Sequence, residues 1–288
     1  MLRLLPGPVQ STTAWLLLAG GAWAEETAGV ENFRGAAWRP VFQGIELAPV
    51  VLTKPRPIQA QILRVHLDAP GVSLVATPGN GGAPGETTGQ WTSSFLKTQR
   101  CQAAVNAAPF DKVTTLEGGP LDVVGLQISG GQLVSPDDGS PALLILKNGK
   151  AKIQRPPFPG QQIQEAVAGF QIVLWQGRTV ATDTKLHPRT GAGVSADGQT
   201  LWLLTVDGRQ TDRSEGCTTL EMADWLRAMG AQSGINLDGG GTTTMVLAAA
   251  DGKPLILNRP IHAGIPGLER PSGSHLGVHA LPLVPGKN

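Results

Sequence analysis

The chain has 288 residues, an apolar content of 41% and a formal charge of +1 from 23 Lys+Arg against 22 Asp+Glu. That length supplies one large domain or two small ones. The balanced charge, with no basic run, argues against a nucleic-acid partner, because phosphate-tracking proteins carry a basic face or stripe. The 38 glycines and 23 prolines point to a turn-rich, strand-rich chain, and the absence of tyrosine removes that side chain from every mechanism.

The N-terminus reads as an export leader. Arg3 and the amino group supply positive charge, AWLLLAGGA (Ala14 to Ala22) is a short apolar stretch, and Ala22-Trp23-Ala24 has the small-x-small cleavage form. This predicts a signal peptide over 1–24 and a mature domain over 25–288, periplasmic or secreted, with no membrane span in the mature chain. In an oxidising compartment Cys101 and Cys217 are a candidate disulfide, the alternative being two buried thiols. Without His neighbours they make a poor zinc site.

From Glu25 to about Pro57 the Pro-punctuated sequence predicts an extended lead-in with an edge strand around Val50 to Thr53. Alternation predicts strands over Gln59 to Ala69 and Val72 to Thr77, followed by a glycine-rich loop from Gly79 to Gly89. Thr92 to Ala104 reads as a helix capped by Thr92 or Ser93, and Ala104 to Phe110 as a short buried strand. Hairpins follow, turning at Gly130-Gly131, Asn148-Gly149, Asp197-Gly198 and Asp251-Gly252, pairs that tolerate positive φ. One more helix, Thr218 to Gly230, has Thr218 and Glu221 at capping-box spacing and Gly230 at its end. The expected fold class is α+β, a single domain of mostly antiparallel sheet built from hairpins with a few helices.

Familiar nucleotide and hydrolase motifs are absent. LDGGGTTT matches neither phosphate-loop pattern, no Ser sits in a G-x-S-x-G elbow, and no H-E-x-x-H occurs among the five histidines. Polar clusters instead stand at the ends of apolar strands: HPRTG (His187 to Gly191), TVDGR (Thr205 to Arg209), INLDGGGTTT (Ile235 to Thr244), NRP from Asn258 and ERP from Glu269. Strand ends let side chains converge while the sheet holds them rigid. Asp207-Gly208 alone fits a hairpin turn, Glu221 fits the capping box, and Asn106 and His187 have plain structural explanations. Asp238 follows an apolar run, so it needs donors, which the amides of Gly239 to Gly241 and the hydroxyl of Thr242 can supply.

Taken together, HPRTGAGVSADG, LLTVDGR, GCTTLEMADWLRAMGAQSGINLDGGGTTTMV, NRP and ERP resemble the phosphodiester glycosidase family. The resemblance is strong from about Ala166 to Val278 and looser back to about Gln43, where GETTGQWTSSFL and AVNAAPF resemble the family's N-terminal part. This chain carries Thr242 where the family usually has Ser, and Ala107, Ala108 and Pro109 where it often has an aromatic or glycine.

The resemblance implies hydrolysis of a sugar linked through its anomeric carbon to a phosphodiester, on exported or cell-surface glycans. Such a reaction needs charge compensation for phosphate, a carboxylate for an oxocarbenium-like centre and an activated water. It implies Arg189 and Arg209 as phosphate ligands, Asp207 and Asp238 as catalytic carboxylates, and Glu221 in reserve if its cap is not made. His187 would donate to the leaving oxygen or hold a carboxylate. Asn106, Thr190, Asn236, Gly239, Gly240, Gly241, Thr242, Asn258 and Arg270 would orient or bind substrate. No cofactor is required by the sequence; the carboxylates admit a divalent metal, but no ligand spacing demands one. Two other classes use the same residues: a phosphodiesterase breaking P–O, and a non-catalytic exopolysaccharide-binding module.

Overall fold

The computed structural model describes residues 27–283, so the leader predicted over 1–24 lies outside them. Three antiparallel sheets carry the architecture, with three short α-helices among the described residues. The largest has eight strands in the spatial order Arg39–Phe42, Ile45–Leu52, Ile58–His66, Thr200–Val206, Arg189–Val194, Ser233–Asn236, Gln171–Trp175 and Arg178–Thr179. A five-stranded sheet runs Ala151–Gln154, Ala142–Leu146, Ile163–Ala168, Gln127–Ser129, Gln132–Ser135. Another runs Pro254–Ile256, Met245–Ala248, Ala103–Asn106, His275–His279, Ser73–Ala76. The α+β, mostly antiparallel fold class expected from the hairpin signals is the one observed.

Period-two alternation explains the layering. Along Thr200–Val206, Leu201 and Leu203 join a core shared with both five-stranded sheets, including Val105, Leu143, Val167 and Leu276. Trp202, Leu204 and Val206 point the other way, toward the helices Thr219–Ala228 and Val30–Arg34. There Phe33 stacks on Trp225 with ring centroids 4.4 Å apart. Both faces of the strand are covered, which is why all but its first residue are buried. Helix Thr92–Gln99 covers the outer face of the third sheet through Phe95 and Leu96, against Ala104 and Val246.

All four predicted hairpins form, with Gly130, Gly131, Gly149, Gly198 and Gly252 at positive φ. The capping box also forms: Glu221 N donates to Thr218 Oγ1 at 3.0 Å and Thr218 N to Glu221 Oε2 at 2.9 Å. The expected edge around Val50 is present: Ile45–Leu52 pairs with Ile58–His66 along its whole length, but only Ile45–Leu47 also pairs with Arg39–Phe42, so Val50 to Leu52 have a strand on one side only. Two expectations need correction. The helix from Thr92 stops at Gln99, ended by Arg100 in the left-handed conformation. Neither Thr92 nor Ser93 caps it; the Glu269 carboxylate accepts from Ser93 N at 3.1 Å and Ser93 Oγ at 2.5 Å.

The cysteines are free thiols, not a disulfide. Cys101 packs with Phe95 and Leu96 under the third sheet, whereas Cys217 lies in the core beneath Trp225. Burial in these separate apolar clusters raises both thiol pKa values, that of Cys101 to about 12. No described helix is long and apolar enough to cross a membrane.

Candidate active site

The three central strands of the large sheet end together. Arg189 pairs with Val206, and Gly191 with both Leu204 and Asn236, so His187, Asp207 and Asp238 follow or precede adjacent strand ends. The third sheet closes the corner: Asp238 N donates to Ala107 O at 2.8 Å. Asn106 ties the two sheets together. Its Nδ2 donates to Asp238 O at 2.7 Å, and its Oδ1 accepts from Thr190 Oγ1 at 2.6 Å and Thr244 N at 3.1 Å.

Each glycine after Asp238 answers a different close approach. A Cβ on Gly239 would stand 2.7 Å from the carbonyl oxygen of Pro188. Gly240, at φ +65°, would place one 3.2 Å from the Arg209 guanidinium, and a Cβ on Gly241 would overlap the Arg270 guanidinium. Bare backbone here is what lets two cations lie against the turn. Thr242 Oγ1 then lies 2.7 Å from Asp238 Oδ2 and 2.7 Å from Gly239 O.

Around this turn opens a cleft of about 310 Å³, lined by Phe170, His187, Arg189, Arg209, Asn236, Asp238, Gly240 and Arg270 among others. Burial raises the Asp238 carboxyl to about 6, against the lowering effects of Thr242, the Gly239 amide and Arg270. Arg270 is itself pulled down, first by burial, then by Arg209 nearby, with Asp238 opposing. Its Nε donates to Nδ1 of buried His262 at 3.1 Å, which fixes the fork. His187 is lowered by burial and then by Arg189 and Arg209, so it is neutral at pH 7; its Nδ1 lies 3.4 Å from Arg209 Nη2.

Among the sequence-predicted residues, Asp238, His187, Arg189, Arg209, Asn236, Gly239, Gly240 and Arg270 line the cleft. Arg189 is largely committed to the protein, its Nε donating to Cys217 O at 2.7 Å and an Nη2 to Asp183 Oδ2 at 2.8 Å. Asn106, Thr190, Gly241 and Thr242 stand behind the lining and shape it.

Asp207 is placed differently. Its side chain is 1% exposed. Oδ1 accepts from Asn258 Nδ2 and Arg259 N, each at 2.9 Å, and Oδ2 from Arg259 N at 3.1 Å. Asn258 in turn donates to Thr243 O and accepts from Met245 N. The Asp207 carboxylate therefore pins the Asn258 loop beside the glycine turn and does not line the cleft. Burial raises its pKa, opposed by these donors. Glu221 is also outside the cleft: its cap is made, and Arg56 Nη2 reaches Oε2 at 2.6 Å. The condition for Glu221 as a reserve acid is thus not met.

Phe170, Asp183 and His262 are the members that motif reading missed. Phe170 is 59% exposed just before a strand, and nothing in the sequence marks that exposure. Among the described residues, no group of three or more His, Cys, Asp or Glu converges to hold a metal ion.

Two guanidiniums, those of Arg209 and Arg270, thus share one cleft with the Asp238 carboxyl, which burial raises to about 6. The phosphodiester glycosidase family model matches residues 99–279. The fold is similar to the catalytic domain of zebrafish N-acetylglucosamine-1-phosphodiester alpha-N-acetylglucosaminidase, auto-inhibited by its pro-peptide. That match has 24% identity, covers 84% of each chain and has a TM-score of 0.61. A candidate exported protein of Burkholderia pseudomallei matches at 17% identity over 78% of this chain and 74% of its own, with a TM-score of 0.60. A hypothetical protein from Synechocystis matches at 15% identity over 84% of this chain and 64% of its own, with a TM-score of 0.60. No curated protein sequence matches significantly. The chain belongs to the phosphodiester glycosidase family.

Proposed function

We propose that this chain hydrolyses a sugar-1-phosphodiester at the anomeric C–O bond. The observation that carries the proposal is the joint placement of Arg209 and Arg270 against the glycine turn beside Asp238. Guanidinium forks suit two phosphate oxygens and would neutralise the charge gathering on the departing phosphomonoester. That group leaves readily, so no strong general acid is needed; His187, neutral at pH 7, donates a hydrogen bond to the leaving oxygen. Asp238, ionised above about pH 6, faces the anomeric centre and stabilises its oxocarbenium character. The Asn236 amide orients the sugar, and Phe170 gives its ring an apolar wall. Asp207 and Asn106 act as positioning residues, the first through the Asn258 loop and the second through the Asp238 backbone.

The activity of the zebrafish neighbour and the family match favour this reaction class. An exported location, with a cell-surface or extracellular glycan as substrate, is part of this proposal; the leader-like N-terminus and the likeness to a candidate exported protein support the location. The deciding experiment is hydrolysis of hexose-1-phosphodiesters in heavy-oxygen water. Label in the released sugar supports C–O cleavage, whereas label in the phosphate supports a phosphodiesterase and rejects the proposal.

A further inference from the structure

The strand Gln171–Trp175 leads away from the cleft. Phe170 sits on the cleft rim, and the next two residues, Gln171 and Ile172, line a second hollow of about 520 Å³ with Arg155, Trp175, Val180 and Thr182. Another chain segment makes the same connection: Thr182 lines that hollow, and its neighbour Asp183 holds Arg189 in the cleft at 2.8 Å. At strand rise, Trp175 lies about 13 Å beyond Gln171. Trp175 also lines a third hollow of about 280 Å³, whose lining includes Lys150, Lys152, Gln176 and Gln232. Trp175 is therefore the residue that the two hollows share, and the strand that carries it begins next to Phe170 on the cleft rim.

The chemistry of this path is specific. Trp175 is 39% exposed and Val180 46%, so an indole face and an apolar side chain are open to a ligand in the same hollow. Each hollow that Trp175 lines also holds cations, Arg155 in one and Lys150 and Lys152 in the other. The one acid in either lining, Asp197, turns its carboxylate to Ser195 Oγ at 2.5 Å and Gln199 N at 3.0 Å. An indole face accepts the C–H side of a sugar ring, amide side chains reach its hydroxyls, and flanking cations take anionic links between rings. A neutral glycan would leave the cations unused, and an apolar ligand would strand the amides.

We propose that this path is a secondary site for an anionic glycan: the distal repeats of a glycosyl-phosphate polymer whose reactive end lies in the Asp238 cleft. The direction of the chain rests on the reading of the cleft given above; binding along the path does not. The site would make the enzyme prefer polymer over single sugar phosphates, because ends held at Trp175 raise the local concentration at the cleft.

The test is calorimetric titration of the whole mature protein with poly(hexose-1-phosphate) oligomers of increasing length, with neutral dextran as control. Wild type is expected to bind long oligomers roughly tenfold more tightly than a single hexose-1-phosphodiester, the effect of about one buried aromatic contact. Trp175→Ala should lose that gain while its melting temperature and its turnover of the single diester stay unchanged. Arg155→Ala with Lys152→Ala should flatten the salt dependence. Length-independent binding, equal binding of dextran, or an unaffected Trp175→Ala variant would each overturn the site. Length-dependent binding that survives in Trp175-intact protein with no hydrolysis of any diester would reject the catalytic reading and leave this one standing.

Discussion

Thr242 Oγ1 lies 2.7 Å from Asp238 Oδ2, four residues away across a turn of three glycines. This contact joins the two halves of the site's electrostatics. Burial drives the carboxyl toward protonation, and the hydroxyl, the Gly239 amide and Arg270 drive it back, leaving it at about 6. A carboxylate buried without such donors would stay neutral and could not stabilise a cationic centre.

A pH dependence follows with a definite sign. Activity that needs ionised Asp238 rises with pH through about 6. Thr242→Val removes a donor to the charged form while keeping the shape, so the acidic limb of kcat/KM should move to higher pH; a pH–rate profile reads this directly. Stability runs the other way. The folded chain holds this proton more tightly than the unfolded chain, whose carboxyl titrates near 3.8. The contribution is full below that value and is lost as pH rises through about 6.

The glycines separate packing from ligand binding. Gly239→Ala sets a methyl against the Pro188 carbonyl, a rigid neighbour, and should cost about 1–3 kcal/mol in denaturant titration. Gly241→Ala meets the Arg270 guanidinium, the end of a side chain that can yield by giving up its bond to His262. It should raise KM with a smaller change in melting temperature.

Glu221 is expected to matter for folding alone. Glu221→Ala breaks the capping box and the Arg56 contact at 2.6 Å, lowering stability by about 1–2 kcal/mol while kcat is retained. Thermal unfolding paired with a turnover assay checks both halves.

The thiols give a simpler check. Reagent titration should find Cys101 and Cys217 unreactive in the native protein and both reactive in denaturant, and reductant should leave the melting temperature unchanged.

What the sequence disclosed was local. Asp197-Gly198 and Asn148-Gly149 announce their hairpins because the backbone requirement lies within the pair itself. Thr218 and Glu221 announce their cap for the same reason. Asp238 could be singled out because an acid after an apolar run needs donors, and glycines and a threonine stand next to it. The cap on the helix from Thr92 was illegible because its acceptor, Glu269, comes from 176 positions away. Asp207 misled for a related cause: its neighbours in sequence suggested a cleft residue, while its partners, Asn258 and Arg259, are about fifty positions on and bury it. The contribution of Phe170 was equally hidden, since a phenyl ring at a strand start carries no sign of which side is open.

The central claim is that Asp238 performs the hydrolysis, and turnover of a hexose-1-phosphodiester by Asp238→Asn tests it most directly. Asn keeps the volume and still accepts from Thr242, so the variant should fold, melt at or above the wild-type temperature at neutral pH, and lose turnover by roughly a thousandfold or more. A folded Asp238→Asn protein that hydrolyses the diester at the wild-type rate would contradict the account.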